Sequence, residues 1–289
     1  MKRTILIQLD ADPQPSVFDA VVAVDAGVEI LFRHGAVTPE QVEAIVHGAI
    51  FTRGGADLAR TAIFIGGSDV AAAESIRRAV ERSFFGPFRV SVLFDPNGCN
   101  TTAAAAVLAA EAGAKAALGD GLKAVKAAVL GATGPVGQRV ARLLMGLGAD
   151  VRVGSRNIDR ARALAEQLNK EGHGHATPFS GESRESLICG LRNVQVAVAA
   201  GAAGAVLLPA EIRRDLPALK IAIDLNAVPP AGIEGIQPAD KQADRDGVML
   251  GRPGRRRSKM KIHRKAIESL FTANDRRIDA EQCLEIGRV

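Results

Sequence analysis

The chain contains neither tryptophan nor tyrosine, and its 289 residues include only ten phenylalanines and three cysteines. The cysteines, Cys99, Cys189 and Cys283, are far apart and odd in number, which excludes a disulfide framework and a C-x-x-C metal site. We therefore expect reduced thiols and a core filled by Ala, Val, Ile and Leu. The hydrophobic fraction of 47% is typical of a globular protein.

Long apolar runs and metal-ligand spacings are also missing. No stretch of eighteen apolar residues is free of charge, and the segment 1–10 lacks the apolar region and cleavage site of a signal peptide. We therefore expect a cytoplasmic protein without a membrane partner. The five histidines form no H-E-x-x-H pattern, and the pair His173 and His175 lies in a polar stretch, so we predict no metal site.

The charge balance is mildly basic, with 37 Lys and Arg against 32 Asp and Glu and a formal net charge of +5. This balance suits an anionic small molecule or a phosphate-bearing cofactor. Basic residues are not interleaved with aromatic ones, as they are in proteins that stack single-stranded bases. We therefore expect no nucleic-acid partner.

Strand patterns alternate with helix patterns along the chain, which predicts an α/β fold with mostly parallel sheets. We expect two domains, with residues 119–123 as the hinge between them. The polar stretch from Lys170 to Gly181 predicts a loop.

The segment Val129-Leu-Gly-Ala-Thr-Gly-Pro-Val-Gly137 predicts a phosphate-binding turn. An apolar strand ends in it and a helix begins in it. One glycine permits the tight turn, the second lets a pyrophosphate approach the backbone, and the third lets the helix pack on the strand. The spacing G-x-x-G-x-x-G is weak evidence alone, but a second apolar strand at Asp150–Gly154 completes a β-α-β unit. The free N–H groups of the helix attract phosphate. The predicted cofactor-binding residues of this turn are Gly131, Thr133, Gly134, Pro135, Val136 and Gly137.

The end of the second strand selects the cofactor. NAD-binding versions of this unit place an acidic residue there for the ribose 2′-hydroxyl. This chain has Ser155 and Arg156 instead, which can donate to a 2′-phosphate. We therefore predict NADP; the alternative is that Ser155 caps the next helix and Arg156 is solvated. The loops after later strands add Ala200, Gly201 and Asn226 to the predicted cofactor site.

Eight segments carry a resemblance to a known family: Leu9–Asp19, Phe51–Gly55, Thr61–Gly67, Phe84–Val90, Asp95–Ala105, Gly131–Gly137, Asp224–Ile233 and Lys259–Arg264. Together they resemble the bacterial NAD(P)-dependent methylene-tetrahydromethanopterin dehydrogenases of one-carbon metabolism, which are related to methylene-tetrahydrofolate dehydrogenases. The resemblance covers nearly the whole chain. It implies an α/β pterin-binding substrate domain formed by residues 1–117 and 263–289. It also implies an NADP-binding Rossmann-type domain with a doubly wound parallel sheet, residues 118–262, and a homo-oligomer such as a trimer.

The resemblance also implies the substrate-binding residues, which are Phe18, Asp19, Asn97, Gly98, Thr101 and Thr102. Lys259 matches a family lysine, to which we assign orientation of the substrate because a cation does not stabilise a developing cation. The implied reaction removes hydride from a methylene carbon and leaves a methenyl cation. Since no proton moves, the chain needs no general acid or base, and orientation carries the catalysis.

Two other functions remain open at this point. A methylene-tetrahydrofolate dehydrogenase would use the same chemistry on a related pterin. A non-catalytic NADPH-binding regulator would bind the cofactor without turnover, although it would need no second ligand pocket.

The chain departs from the family before Lys259. In place of small apolar residues it has Gly251-Arg-Pro-Gly-Arg-Arg-Arg-Ser258. This segment is a solvated loop, a contact for phosphate or for an acidic pterin tail, or the product of a frame shift in the gene sequence.

Overall fold

A computed structural model describes residues 2–172, 174–226, 229–237, 240, 242–253 and 257–289. The chain forms two compact units. The first contains Met1–Thr101, Met260–Gly287 and Val289, and the second contains Thr102–Lys259 and Arg288. The division falls earlier than the predicted boundary at 117/118, and the assignment of the halves to substrate and cofactor stays a prediction.

The described helices follow one another between the strands. They are α1 (Val17–Asp25), α2 (Pro39–Phe51), α3 (Val70–Arg82), α4 (Cys99–Leu118), α5 (Pro135–Gly146), α6 (Ile158–Glu171), α7 (Arg184–Leu191), α8 (Ala210–Arg214), α9 (Arg257–Leu270) and α10 (Ala280–Arg288). Short polar side chains set several of their starts. Ser16 caps α1 by accepting the N–H of Asp19, and Asp69 caps α3.

The first unit contains a five-stranded parallel sheet. Its strands are β1 (Ile5–Asp10), β2 (Ile30–His34), β3 (Thr61–Gly66), β4 (Ser91–Phe94) and β12 (Arg277–Ile278). Their order is β12-β4-β3-β1-β2, so the winding direction reverses between β1 and β3. In open α/β sheets ligands bind at the carboxyl ends of the strands on either side of such a reversal. The loops after β1 and β3 therefore mark the ligand edge of this unit.

The second unit contains a seven-stranded sheet. Its strands are β5 (Lys126–Leu130), β6 (Asp150–Ser155), β7 (His175–Ser180), β8 (Val196–Ala199), β9 (Ile221–Asp224), β10 (Gln242–Arg245) and β11 (Val248–Gly251). The order is β10-β11-β9-β8-β5-β6-β7, and every pair is parallel except β10 with β11. This is the doubly wound dinucleotide-binding order, extended by one antiparallel strand. The predicted fold class is confirmed.

The loop predicted from Lys170 to Gly181 is wrong, because β7 occupies its second half. The strand lies at the edge of the sheet, where polar residues and a proline such as Pro178 are tolerated. Asn169 anchors the strand: its amide side chain donates to the carbonyl of Ala176 at 3.0 Å and accepts the N–H of Ala176 at 2.7 Å. Because β7 is an edge strand, its sequence lacks the regular alternation of polar and apolar residues on which a strand prediction depends.

Among the described residues, no helix combines the length and apolar character needed to cross a membrane. Within the same residues, no cluster of three or more His, Cys, Asp or Glu side chains could hold a metal ion. His173, one of the two histidines considered for metal binding, lies outside the described residues.

Candidate cofactor and substrate sites

The glycine turn after β5 touches the loop after β8. Gly131 has a φ of +69°, and a Cβ atom added there would lie 2.5 Å from the Cα of Gly201. A Cβ on Gly137 would lie 2.7 Å from the Cα of Ala132. Both distances are too short for any side chain, so the backbone itself fills the space. The sequence spacing thus reflects two close approaches of main chain.

The amino end of α5 is open toward this turn. Gly134 is its N-cap residue and supplies no side-chain hydrogen bond, while Pro135 occupies the first turn. The first N–H groups of a helix have no partner within the helix, and its dipole places positive charge there. The turn therefore offers donors to a phosphate group.

A cavity of about 660 Å³ adjoins the turn. Its size is within the usual range for small-molecule and cofactor sites. Seven of the predicted cofactor residues line it: Gly131, Thr133, Gly134, Ser155, Arg156, Ala200 and Gly201. The other four do not line it. Pro135, Val136 and Gly137 belong to the first turn of α5, and Asn226 lies in the loop after β9.

Two exposed arginines face this cavity, and sequence reasoning found only one of them. Arg156 and Arg160 both line it, and neither side chain makes a hydrogen bond or ion pair with another residue of the described ranges. Arg184, which also lines the cavity, is neutralised by ion pairs with Glu211 and Asp215. The two unneutralised cations therefore form the positive end of the site.

Ser155 is not the cap of the following helix. Asn157 holds that position, and its side chain accepts the N–H groups of Asp159 at 3.0 Å and Arg160 at 3.1 Å. The Ser155 hydroxyl oxygen accepts the N–H of Asn157 at 3.2 Å, which leaves its own proton to donate. This geometry excludes the capping alternative and suits a bond from Ser155 to a phosphate oxygen.

A buried carboxylate shapes the loop that contains Asn226. Asp224 is 0% exposed, and it accepts the N–H of Asn226 at 2.9 Å and the N–H of Gly232 at 2.8 Å. The Asn226 amide in turn donates to the carbonyl of Ala202 at 3.3 Å. The loops after β8 and β9 are therefore joined through Asp224, a residue that the sequence analysis quoted in a motif but did not assign to the site.

Burial raises the pKa of Asp224 above its ordinary value of 3.8, against the opposing effect of its N–H donors. The stabilisation linked to this group is therefore fully present below that value and is lost as pH rises through the raised pKa. We expect the free energy of unfolding of the wild type, minus that of Asp224→Asn, to fall as pH rises above about 4 and then level off. Urea unfolding between pH 4 and 8 measures this difference.

Asp240 supplies a control of opposite sign. A hydrogen bond from Arg245 lowers the pKa of its carboxyl. The stabilisation from this group is present above the ordinary pKa and is lost as pH falls. The same difference for Asp240→Asn should therefore increase with pH. A difference for Asp224→Asn that also increases with pH would contradict the account of Asp224.

On the first unit, two buried or half-buried acids hold the loops at the ligand edge. Asp10 is 0% exposed and accepts the N–H groups of Asp12 at 3.0 Å and Ser16 at 3.2 Å. Asp12 accepts both the N–H and the hydroxyl of Ser68, at 2.9 and 2.8 Å. The loops after β1 and β3 are thereby fastened together just before Phe18, which explains the motif Leu9–Asp19.

The predicted substrate residues of α1 lie near a buried histidine. Phe18 is 51% exposed, and its ring centre lies 6.4 Å from that of His263. The Asp19 carboxylate lies 3.9 Å from Nδ1 of His263, which is 1% exposed. The contact joins the amino end of α1 to α9, so the motif Lys259–Arg264 supports the same edge as Leu9–Asp19.

The turn after β4 separates the other predicted substrate residues. Asn97 is exposed and left-handed, with a φ of 52°, and Gly98 is also left-handed, with a φ of 63°. Thr102 is half-buried. Thr101, in contrast, is 0% exposed and donates its hydroxyl to Asp95 at 2.7 Å. The structure therefore presents the Asn97 side chain to solvent and encloses that of Thr101.

Lys259 lies in the first turn of α9. It makes no hydrogen bond or ion pair with any residue that the structure describes. Of the arginine-rich segment before it, Arg252 donates to the carbonyl of Asn226. Residues 254–256 lie outside the described residues, so the nature of that segment and the role of Lys259 stay predictions.

The comparisons with known proteins identify the family of the chain. A family model described as methylene-tetrahydromethanopterin dehydrogenase, N-terminal, matches residues 17–97. Over all 289 residues the chain is 42% identical to the bifunctional protein MdtA of Methylorubrum extorquens, covering 99% of that protein. It is 33% identical to the NAD(P)-dependent methylenetetrahydromethanopterin dehydrogenase of the same organism, with 82% of this chain and 80% of that protein aligned.

The fold is shared with solved dehydrogenases. Shikimate 5-dehydrogenase from Listeria monocytogenes, solved in complex with shikimate and NAD, superposes with a TM-score of 0.55 over 98% of this chain and 96% of its own. The sequence identity is only 16%, so this likeness shows the fold alone. The family follows from the relatives in sequence: the chain belongs to the methylene-tetrahydromethanopterin dehydrogenases.

Proposed function

We propose that the chain is an NADP-dependent oxidoreductase that moves hydride from methylene-tetrahydromethanopterin to NADP and yields the methenyl product. The observation that carries the proposal is a dinucleotide cavity with two unneutralised arginines in a chain 33% identical to an NAD(P)-dependent enzyme of this name. The glycine turn and the open amino end of α5 fit a pyrophosphate, and Ser155, Arg156 and Arg160 fit a 2′-phosphate.

The residues of this chain would act by binding and orientation. NADP supplies a hydride acceptor when bound. Gly131 and Gly201 let the turn after β5 pack directly against the loop after β8, and Asp224 fixes the loop of Asn226 beside Ala202. No proton is transferred in the step, so aligning the donor carbon with the acceptor is the main contribution the protein can make.

The proposed substrate-binding residues carry groups that suit a pterin. Asn97 and Thr102 carry the amide and hydroxyl groups that can pair with the polar edge of a pterin, and the exposed ring of Phe18 can flank its plane. Asp19 supplies a carboxylate for pterin N–H groups. Lys259 is assigned to orienting the substrate. These roles come from the family resemblance and are supported by the exposure of Phe18 and Asn97.

An assay of two pterins against two nicotinamides tests the function. We expect the highest kcat/KM with methylene-tetrahydromethanopterin and NADP. The rate is measured from the increase in NADPH absorbance. Faster turnover with methylene-tetrahydrofolate would reassign the substrate. NADPH binding without turnover of either pterin would show a non-catalytic NADPH-binding regulator. Because the chain has no tryptophan or tyrosine, fluorescence of bound NADPH can be titrated with little background.

We also propose a cytoplasmic homo-oligomer, such as the trimer implied by the family. The support is the outer face of α1, where Val17, Val21 and Val24 are 60%, 53% and 62% exposed. These positions share one side of the helix. An exposed row of apolar side chains on one helix face is typical of a surface that a partner covers. Light scattering during gel filtration measures the mass, and a monomer at micromolar concentration would refute assembly.

A further inference from the structure

The turn that presents Asn97 is clasped by a buried side chain. The Thr101 hydroxyl lies 2.7 Å from the Asp95 carboxylate, at the start of the turn, and 3.3 Å from the Gly98 carbonyl, at its end. The Asp95 carboxylate also accepts the N–H groups of Asn100 at 2.8 Å and Thr101 at 3.1 Å. Asp95 is 1% exposed. One carboxylate therefore caps α4 and closes the turn before it.

The turn needs this support because of its backbone. Asn97 and Gly98 are consecutive left-handed residues, a conformation that glycine adopts freely and that asparagine adopts more readily than most other residues. Such conformations persist where the surrounding contacts hold them, and they gather at ligand sites. The buried contacts of Asp95 and Thr101 thus hold the backbone that carries the exposed carboxamide of Asn97.

Hydrogen bonds of Asn100 connect the turn to the start of α10. The Asn100 amide donates to the Phe94 carbonyl at 2.5 Å and to Oδ1 of Asp279 at 2.8 Å. Asp279 caps α10, accepting the N–H of Ala280 at 2.8 Å. Hydrogen bonds therefore connect the turn both to β4 and to the start of α10.

We propose that Asp95 and Thr101 are positioning residues for the pterin substrate, which act through Asn97 and do not touch the ligand. This inference rests on the proposed function and changes the role that the family resemblance gives to Thr101. It also assigns a role in substrate affinity to Asp95, although Asp95 is buried. The NADP cavity shares no residue with this turn, so the effect should be confined to the pterin.

Thr101→Val tests the proposal, since it removes the hydroxyl and nearly preserves the shape. We expect the KM for the methylene pterin to rise about tenfold, or about 1.4 kcal/mol, with the KM for NADP unchanged. Thr101→Ser should rescue the KM because it restores the hydroxyl. Thr52→Val is the matched control, because the exposed Thr52 hydroxyl donates to the Gly48 carbonyl at the end of α2 and lies outside the turn.

A double-mutant cycle separates positioning from general stability. Asn97→Gly deletes the carboxamide and suits the left-handed backbone. We expect Thr101→Val to raise the pterin KM no further in that background, because the group it positions is gone. An equal rise in both backgrounds, or the same rise in Thr101→Ser, would overturn the proposal. A wild-type protein that turns over no methylene pterin would refute the proposed function instead.

Discussion

Gly131→Ala should weaken NADPH binding more than tenfold while the protein remains folded. The added Cβ would lie 2.5 Å from the Cα and 2.7 Å from the N of Gly201, so two main-chain segments would have to separate. Alanine at a φ of +69° is also strained, by about 1–2 kcal/mol. The turn after β5 and the loop after β8 would both shift, and these are the segments that receive the dinucleotide. Fluorescence titration of NADPH measures the loss.

Gly146→Ala is the matched control. Gly146 ends α5, the same helix that begins at the turn, and a Cβ there would meet nothing within 4 Å. The substitution should leave the Kd for NADPH unchanged and increase stability by about 0.5–1 kcal/mol. Wild-type affinity in Gly131→Ala, confirmed as folded by circular dichroism, would refute the assignment of the turn to the cofactor.

Arg156→Glu should reverse the cofactor preference. A charge-assisted hydrogen bond contributes about 1.5–3 kcal/mol, so loss of the arginine alone costs roughly one to two decades in affinity. The introduced carboxylate adds repulsion toward a 2′-phosphate and can accept the 2′-hydroxyl of NAD. We expect the KM for NADP to rise about a hundredfold, while the KM for NAD stays level or falls. Steady-state assays with both cofactors measure the ratio.

Two further variants define the site. Arg160→Ala should raise the KM for NADP about tenfold, since its side chain faces the same cavity without a neutralising partner among the described residues. Arg162→Glu is the control for both, because Arg162 is exposed on the same helix as Arg160, pairs with Asp159 at 2.8 Å and does not line the cavity.

Equal effects of Arg156→Glu on the KM for NADP and the KM for NAD would show that Arg156 does not contact a 2′-phosphate.

The sequence was sufficient to predict the fold class and the glycine turn because both depend on local patterns. Strand-to-helix alternation predicts parallel sheets, and Gly131 and Gly137 mark backbone contacts whatever surrounds them. Strand β7 was missed because an edge strand containing Pro178 has no period-2 pattern. Phe179 lies in this strand and lines the cofactor cavity, so it was not predicted as a site residue either.

The site residues were harder to predict where their role depends on distant parts of the chain. Arg160 faces the cavity because α6 begins directly after β6, whereas the sequence pattern for 2′-phosphate binding ends at the strand tip. Thr101 resembles a polar ligand in the sequence, yet α4 turns it inward to Asp95. The contact between Asn100 and Asp279 joins two residues of the first unit that are 179 positions apart in the sequence, and no local pattern predicts it.

Transfer of deuterium from the methylene carbon tests the central claim most directly. Methylene-tetrahydromethanopterin labelled with two deuterium atoms at the bridging carbon is mixed with the protein and NADP, and the product NADPH is analysed by mass spectrometry. The account predicts NADPH carrying one deuterium, and a methenyl product that retains the other. Unlabelled NADPH, or no NADPH from this pterin under conditions in which the protein binds the cofactor, would contradict it.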